Sequence, residues 1–243
     1  MTIRICMWSG PRNLSSAMMR SFEARNDCAV LDEPFFAPYL AVTGVDHPGR
    51  EETLAAHETD PNKAVKVCLQ RPPNDEPLYF QKHMPHQMND GFDRSWMHQC
   101  RHFFLLRDPA AVIASYAKGR TKFTTEDIGF LQQAQLYDEI CGWADTPPPI
   151  ISSEDILKNP EAMLRKLCVA LDIQFDPAML SWPKGRRATD GAWAPYWYKN
   201  VEASTGFGEP KETLPAVEPR YLEIYEKCSQ AYLPLYTHRL RNK

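Results

Sequence analysis

The chain has 243 residues, 43% of them hydrophobic and 24% charged, which suits one domain with a substantial core and excludes global disorder. Its 28 Lys and Arg against 31 Asp and Glu give a formal charge of −3, which argues against a nucleic-acid coat and leaves room for a local anion site. No stretch reaches the roughly 18 apolar residues of a membrane helix, residues 1–8 are too short for a signal peptide, and seven widely spaced cysteines without Cys-x-x-Cys point to reduced thiols in a cytoplasmic protein. Proline, at 21 residues against 11 glycines, predicts long, shaped loops.

In chain order, residues 3–8 read as a short buried strand. Residues 13–25 read as a helix, with Leu14, Ala17, Met18, Ser21 and Phe22 at helical spacing. Strands follow at 28–32, 78–83 and 102–106. The last leads into a helix from Pro109 to about Lys118, with proline at its first turn. A helix is expected over 126–143, a fifth strand over 149–152, and a helix to Leu171 capped by Asn159. The tail, 219–240, reads as a helix interrupted at Pro234. His98, Cys100 and His102 read as a helix end entering a strand, and no metal site is expected. Repeated βα units predict an α/β fold: a three-layer α/β/α domain over 1–243 with a mostly parallel central sheet. Ligands of such sheets bind beyond the carboxyl ends of the strands.

After the first strand comes Gly10-Pro11-Arg12-Asn13-Leu14-Ser15-Ser16-Ala17. A turn opening into a helix offers backbone N–H groups and the helix dipole to an anion. The segment has the layout of a phosphate loop but not its G-x-x-x-x-G-K-[ST] pattern, because Ser15, Ser16 and Ala17 stand where Gly, Lys and Ser/Thr belong. A kinase would miss the lysine and the magnesium-holding hydroxyl. Arg12 instead supplies an early cation, and Ser15 and Ser16 supply hydroxyl donors. Arg107 lies just past the fourth strand, and Ser115 lies eight positions on, about two helical turns. That pair could hold a second anion.

These runs resemble the sulfotransferases that use 3′-phosphoadenosine 5′-phosphosulfate (PAPS). Pro11-Arg12-Asn13-Leu14-Ser15-Ser16 is similar to the family's Pro-Arg/Lys-Ser-Gly-Thr-Thr loop for the 5′-phosphosulfate. Arg107 and Ser115 match its Arg…Ser pair for the 3′-phosphate. Ile151-Ser-Ser-Glu154-Asp155 through Pro160-Glu161 resembles its Tyr-Glu-Asp-Leu…Asp-Pro segment, with Ser153 in the tyrosine's place. The ordered set spans roughly residues 3–180. The resemblance implies a P-loop-type sulfotransferase fold. It implies PAPS as co-substrate, held by Arg12, Asn13, Leu14, Ser15, Ser16, Arg107 and Ser115, with no metal required. Two departures stand out. Leu14 replaces the loop glycine, so the backbone must approach the phosphate without that freedom. The family's late Arg-Lys-Gly-x-x-Gly segment has its nearest counterpart in 183–193, where Arg186 and Arg187 would cover the 3′-phosphate.

Sulfuryl transfer to a hydroxyl needs a general base. His83 resembles the histidine of the Lys-x-His-x-Pro stretch of cytosolic sulfotransferases and is the preferred base, although Gln81 takes the lysine's place. Lys82 is shifted by one residue and so points to the opposite strand face. Glu33 is the second candidate, by similarity to protein-tyrosine sulfotransferases that use a glutamate. Predicted loops 34–77 and 185–215 would shape the acceptor pocket. Their aromatics, among them Phe35, Phe36, Tyr39, Trp193, Tyr196, Trp197 and Tyr198, would suit a small apolar or quaternary-ammonium alcohol if they gather near Glu33. The expected activity is sulfuryl transfer from PAPS to a small hydroxyl- or amine-bearing acceptor, with no nucleic-acid or membrane partner. A nucleotide-dependent kinase or a non-catalytic nucleotide-binding protein on the same scaffold is the alternative. Oligomeric state is not legible.

Overall fold

A computed structural model describes residues 2–210 and 212–241. Strands β1 (Ile3–Ser9), β2 (Cys28–Asp32), β3 (Leu78–His83), β4 (Arg101–Leu106) and β5 (Ile150–Ser152) form one sheet in the order β2-β3-β1-β4-β5. Every pairing is parallel. The helices are α1 (Ser15–Glu23), α2 (Phe36–Thr43), α3 (Arg50–Ala56), α4 (Pro61–Leu69), α5 (Pro109–Tyr116), α6 (Thr125–Ile128), α7 (Phe130–Cys141), α8 (Ser153–Lys158), α9 (Pro160–Ala170), α10 (Ala194–Trp197), α11 (Lys199–Glu202) and α12 (Leu222–Thr237). Among the described residues no helix is long and apolar enough to cross a membrane.

A parallel sheet is buried on both faces, so its strands need apolar residues at every position. β1 meets this with Ile5, Cys6, Met7 and Trp8, all fully buried. Alternate residues enter different cores. Ile5, Met7, Phe80, Phe103 and Leu105 pack on Met18 and Phe22 of α1 and on Met163, Leu164 and Leu167 of α9. Cys6, Trp8, Phe104 and Leu106 pack on α4, α5, α7 and α12 through Cys68, Val112, Leu136 and Tyr232. This is the three-layer α/β arrangement that the βα repeats predict.

The differences from expectation have local causes. The helix expected over 126–143 is two helices, because Gly129 takes φ +77° and ends α6. α1 starts at Ser15 rather than residue 13, since Leu14 is left-handed. The segment 34–77, expected as loop, carries α2, α3 and α4. α8, which the strand-and-helix reading omitted, is a short helix capped by Ser152, whose side chain accepts from Asp155 N–H. α12 runs through Pro234 instead of breaking there.

Two histidines are built into the core. His83 is stacked on Trp8 at 4.6 Å and packed by Trp96 at 5.4 Å and Phe35 at 5.9 Å. His102 Nδ1 accepts from Trp8 Nε1–H at 3.0 Å, and its Nε2 lies 2.9 Å from Met97 O, which makes it the Nε2–H tautomer. Both ring nitrogens of His102 are thereby used, and His98 packs on Trp143 instead. Burial lowers His83 to a pKa of about 3 and His102 to about 4. The unfolded chain takes up protons near pKa 6.5 and the folded chain does not, so stability is full above that pH and falls as pH drops below it. From about pH 7 to about pH 5 each histidine should cost about 2 kcal/mol of stability. Urea midpoints measured at those two pH values check this; an unchanged midpoint contradicts it.

Candidate active site

The loop joining β1 to α1 has a left-handed backbone at Arg12 (φ 62°) and Leu14 (φ 71°), at a cost of roughly 1–2 kcal/mol for each non-glycine residue. Side chains of the loop itself, of α8 and of Arg107 just past β4 hold it there. Asn13 Nδ2 donates to Leu105 O at 3.2 Å. Ser153 Oγ lies 2.7 Å from Asn13 O and 3.0 Å from Leu106 O. Arg107 Nη1 donates to Arg12 O at 2.6 Å. The loop also passes close to α6: a Cβ on Gly10 would come within 2.9 Å of Ile128 O. The result is a helix start with no side-chain cap, whose first N–H groups remain available to an anion.

Arg12, Leu14, Ser15, Ser16, Arg107 and Ser115 all line one cavity of about 620 Å³. Arg12 Nε donates to Ser115 Oγ at 3.0 Å and its Nη1 reaches Trp197 O at 3.4 Å. A residue expected to hold the 5′-phosphosulfate, Arg12, is therefore in direct contact with one expected to hold the 3′-phosphate, Ser115. Burial lowers the Arg12 guanidinium from its ordinary pKa and the neighbouring Arg107 lowers it further; burial likewise lowers Arg107. Two half-buried like charges at an uncapped helix start fit a polyanion.

Other predicted residues lie elsewhere. Asn13 is buried behind the loop and serves to hold it. Arg186 and Arg187 are not brought to the cavity. Arg186 is exposed, and Arg187 pairs with Glu23 of α1 at 3.8 Å while its N–H donates to Asp190 Oδ2 at 2.8 Å. Asp190 in turn pairs with buried Arg20 of α1 at 2.6 Å, so the basic turn is fastened to the flank of the helix. Lys118, just beyond α5, is a cation that does line the cavity. His83 does not line it; it sits on the sheet face occupied by Trp8 and Trp96.

Strand alternation turns Lys82 the other way, into the cavity wall. Its Nζ bonds Glu33 Oε1, Asp32 Oδ1 at 2.9 Å and Tyr198 Oη at 2.6 Å, all buried. Burial disfavours the Lys82 charge, but Asp32 and Glu33 more than offset this, so its pKa lies well above the ordinary value. Burial raises Glu33 against the pull of Lys82. Glu33 itself is left-handed (φ 42°), and Gln87 Nε2 donates to its Oε2 at 2.6 Å. Next to Gln87, His86 lines the cavity, its Nδ1 has no partner among the described residues, and burial lowers its pKa to about 4. Phe36, Trp193, Trp197 and Tyr198 line the cavity, whereas Phe35 packs on His83 and Tyr196 is exposed.

Lys82 had a readable signal, its alternation against His83. Gln87 had none, because it occupies a short turn after β3 that no spacing rule describes.

The chain belongs to the family described as Sulfotransferase domain, whose model matches residues 3–239. It is similar over 96% of its length, at 14% identity and TM-score 0.55, to a sulfotransferase domain from the curacin biosynthetic pathway, 98% of which is covered. It is similar over 97% of its length to a sulfotransferase from Alicyclobacillus acidocaldarius, with 96% of that chain covered, 12% identity and TM-score 0.54. A mouse sulfotransferase complexed with PAP matches over 99% of this chain and 86% of its own, at 12% identity and TM-score 0.50. In sequence the chain is 37% identical over 94% of its length to a branched-chain-amino-acid aminotransferase-like protein 2 of Arabidopsis thaliana, and 35% identical over 95% to a protein 1 of the same name. It spans about two fifths of those two proteins, 40% and 41%.

Removing Lys82 would leave two buried carboxylates uncompensated. Lys82→Met should therefore cost about 3–5 kcal/mol in urea unfolding; a loss below about 1 kcal/mol would show that the cluster is not held by charge.

Proposed function

We propose that the chain transfers the sulfuryl group of PAPS to a hydroxyl, or an amine, of a small acceptor. The observation that carries this is the pair Arg12 and Arg107 beside the uncapped start of α1, on the wall of a cavity that Glu33 also lines. PAPS, when bound, supplies an activated sulfuryl group and a bisphosphate leaving group. Arg12, Ser15, Ser16 and the first N–H groups of α1 hold the phosphosulfate. Arg107 and Ser115 hold the 3′-phosphate. Charge growing on the leaving phosphate is met by Arg12 and the helix dipole, which do the work that a metal does in phosphoryl transfer. The match to the mouse enzyme complexed with PAP supports this choice of co-substrate.

Glu33 accepts the proton of the acceptor hydroxyl. It lines the cavity, burial raises its pKa, and Lys82 and Gln87 orient it. His83, the base that the resemblance suggests, packs in the core instead. The acceptor is small, because one cavity of about 620 Å³ holds it together with the co-substrate.

Labelled sulfate should pass from PAPS into one or more components of a metabolite extract. Glu33→Gln should lower kcat/KM by about 100-fold or more while binding of 3′,5′-adenosine bisphosphate (PAP) persists. His83→Phe should keep turnover. The wild-type acid limb of kcat/KM should lie above the ordinary carboxylate range and vanish in Glu33→Gln. Tight magnesium-ATP binding without PAP binding would favour the kinase reading, and PAP binding with no transfer would favour a non-catalytic protein.

A further inference from the structure

The cavity crosses the carboxyl ends of four strands, and its two sides differ in chemistry. Arg12 follows β1 and Arg107 follows β4, whereas Glu33 follows β2, and Lys82 and Gln87 lie at the end of β3 or just after it. In the order β2-β3-β1-β4-β5, neighbours about 4.8 Å apart place β2 about 14 Å from β4. The polyanion takes the β1–β4 side, and the β2–β3 side is left for the acceptor.

There, among the described residues, the unused polar atoms are His86 Nδ1 and the hydrogen-bond acceptor Gln87 Oε1. Gln87 is 2% exposed and lines the cavity, and among the described residues its Oε1 has no partner. Its amide cannot be turned over, because Nε2 must donate to Glu33 Oε2. Asp32 and Glu33 share the single ammonium of Lys82, so the cluster carries surplus negative charge. Phe36 and Trp193 add aromatic walls. An anionic acceptor would meet like charge here. A quaternary ammonium would bring no N–H to Gln87 Oε1, and leaving a buried acceptor unpaired is costly.

We infer that the β2–β3 side is a subsite for a vicinal amino alcohol. Its ammonium donates to Gln87 Oε1 and its hydroxyl faces Glu33. Glu33 and Gln87 are already bonded to each other, so their acceptor atoms lie within the span of two donors on adjacent carbons. The inference rests on the sulfuryl-transfer reading. In that reaction the hydroxyl oxygen forms the new S–O bond and its proton passes to Glu33. The S–O bond to the 5′-phosphate breaks, and its electron pair leaves with the 3′,5′-bisphosphate. The nitrogen keeps its protons, so it is not the nucleophile, and the product is an O-sulfate zwitterion.

Calorimetry on the protein saturated with PAP tests this with 2-amino-1-phenylethanol, 1-phenyl-1,2-ethanediol and mandelate. These share one skeleton and differ in a single ammonium, hydroxyl or carboxylate group. The amino alcohol should bind at least about tenfold more tightly than the diol, and mandelate should bind most weakly. Gln87→Leu should reduce the preference over the diol to within about threefold and leave PAP affinity unchanged. Equal or tighter binding of the diol or mandelate overturns the inference, as does failure of all three to bind a protein that binds PAP. An undiminished preference in Gln87→Leu also overturns it. If that variant does not fold, the wild-type series decides alone. Failure of PAP itself to bind counts against the sulfuryl-transfer reading instead.

Discussion

The left-handed turn at Arg12 and Leu14 is the constraint on which the rest of the site depends. Neither residue is glycine, so the turn stores strain that side-chain hydrogen bonds must offset. Asn13 to Leu105 O, Arg107 to Arg12 O, and Ser153 between Asn13 O and Leu106 O supply them. The turn stops any earlier start of α1, strips the helix of a cap, and so exposes its N–H groups to the cavity. Arg107 thus has two uses. One N–H fixes the loop, and the residue also lines the cavity.

A second strained residue, Glu33, organises the opposite side. Its φ of 42° lets it follow Asp32 directly into contact with Lys82, so adjacent residues reach one ammonium. Tyr198 closes the group by donating to Asp32 at 2.7 Å while accepting from Lys82. A buried ion cluster of this kind is costly to assemble and costly to break, which gives position rather than net stability. What it positions is the Glu33 carboxylate.

The strand positions and the gathering of Arg12, Arg107 and their neighbouring serines at one cavity were legible because both depend on short-range chemistry. Buried parallel strands announce themselves as apolar runs, and an arginine after a strand end is placed by the topology alone. Arg12, Arg107, Ser15, Ser16 and Ser115 reach one cavity for that reason. Ser153 looked like a lapse from the family pattern, and in the structure its hydroxyl holds the loop. Which titratable side chain of this region faces the cavity was harder to read. His83 fits a motif, but one residue of offset between Lys82 and His83 sends them to opposite faces, and a two-residue period makes such an offset decisive. Arg186 and Arg187 have the right charge, yet their turn is drawn to Glu23 and Asp190, a long-range pairing with no local trace. Segments 34–77 and 185–215 do contribute Phe36, His47, Trp193 and Trp197 to the cavity, but their packing is tertiary and unpatterned.

The near-neutral net charge hides a separation. Arg12, Arg107 and Lys118 gather on one side of the cavity, and Asp32 and Glu33, with Lys82 between them, on the other. In a partly buried cavity such fields are screened less than at the surface. A polyanion on the first side neutralises the guanidiniums and makes the potential across the whole cavity more negative. That favours any cationic group entering the second side, and by linkage the second ligand favours the first to the same degree. On the proposed reading, two substrates of opposite charge would strengthen each other's binding, and Arg12, which follows β1 next to β3 in the sheet, would stand where the two sides meet.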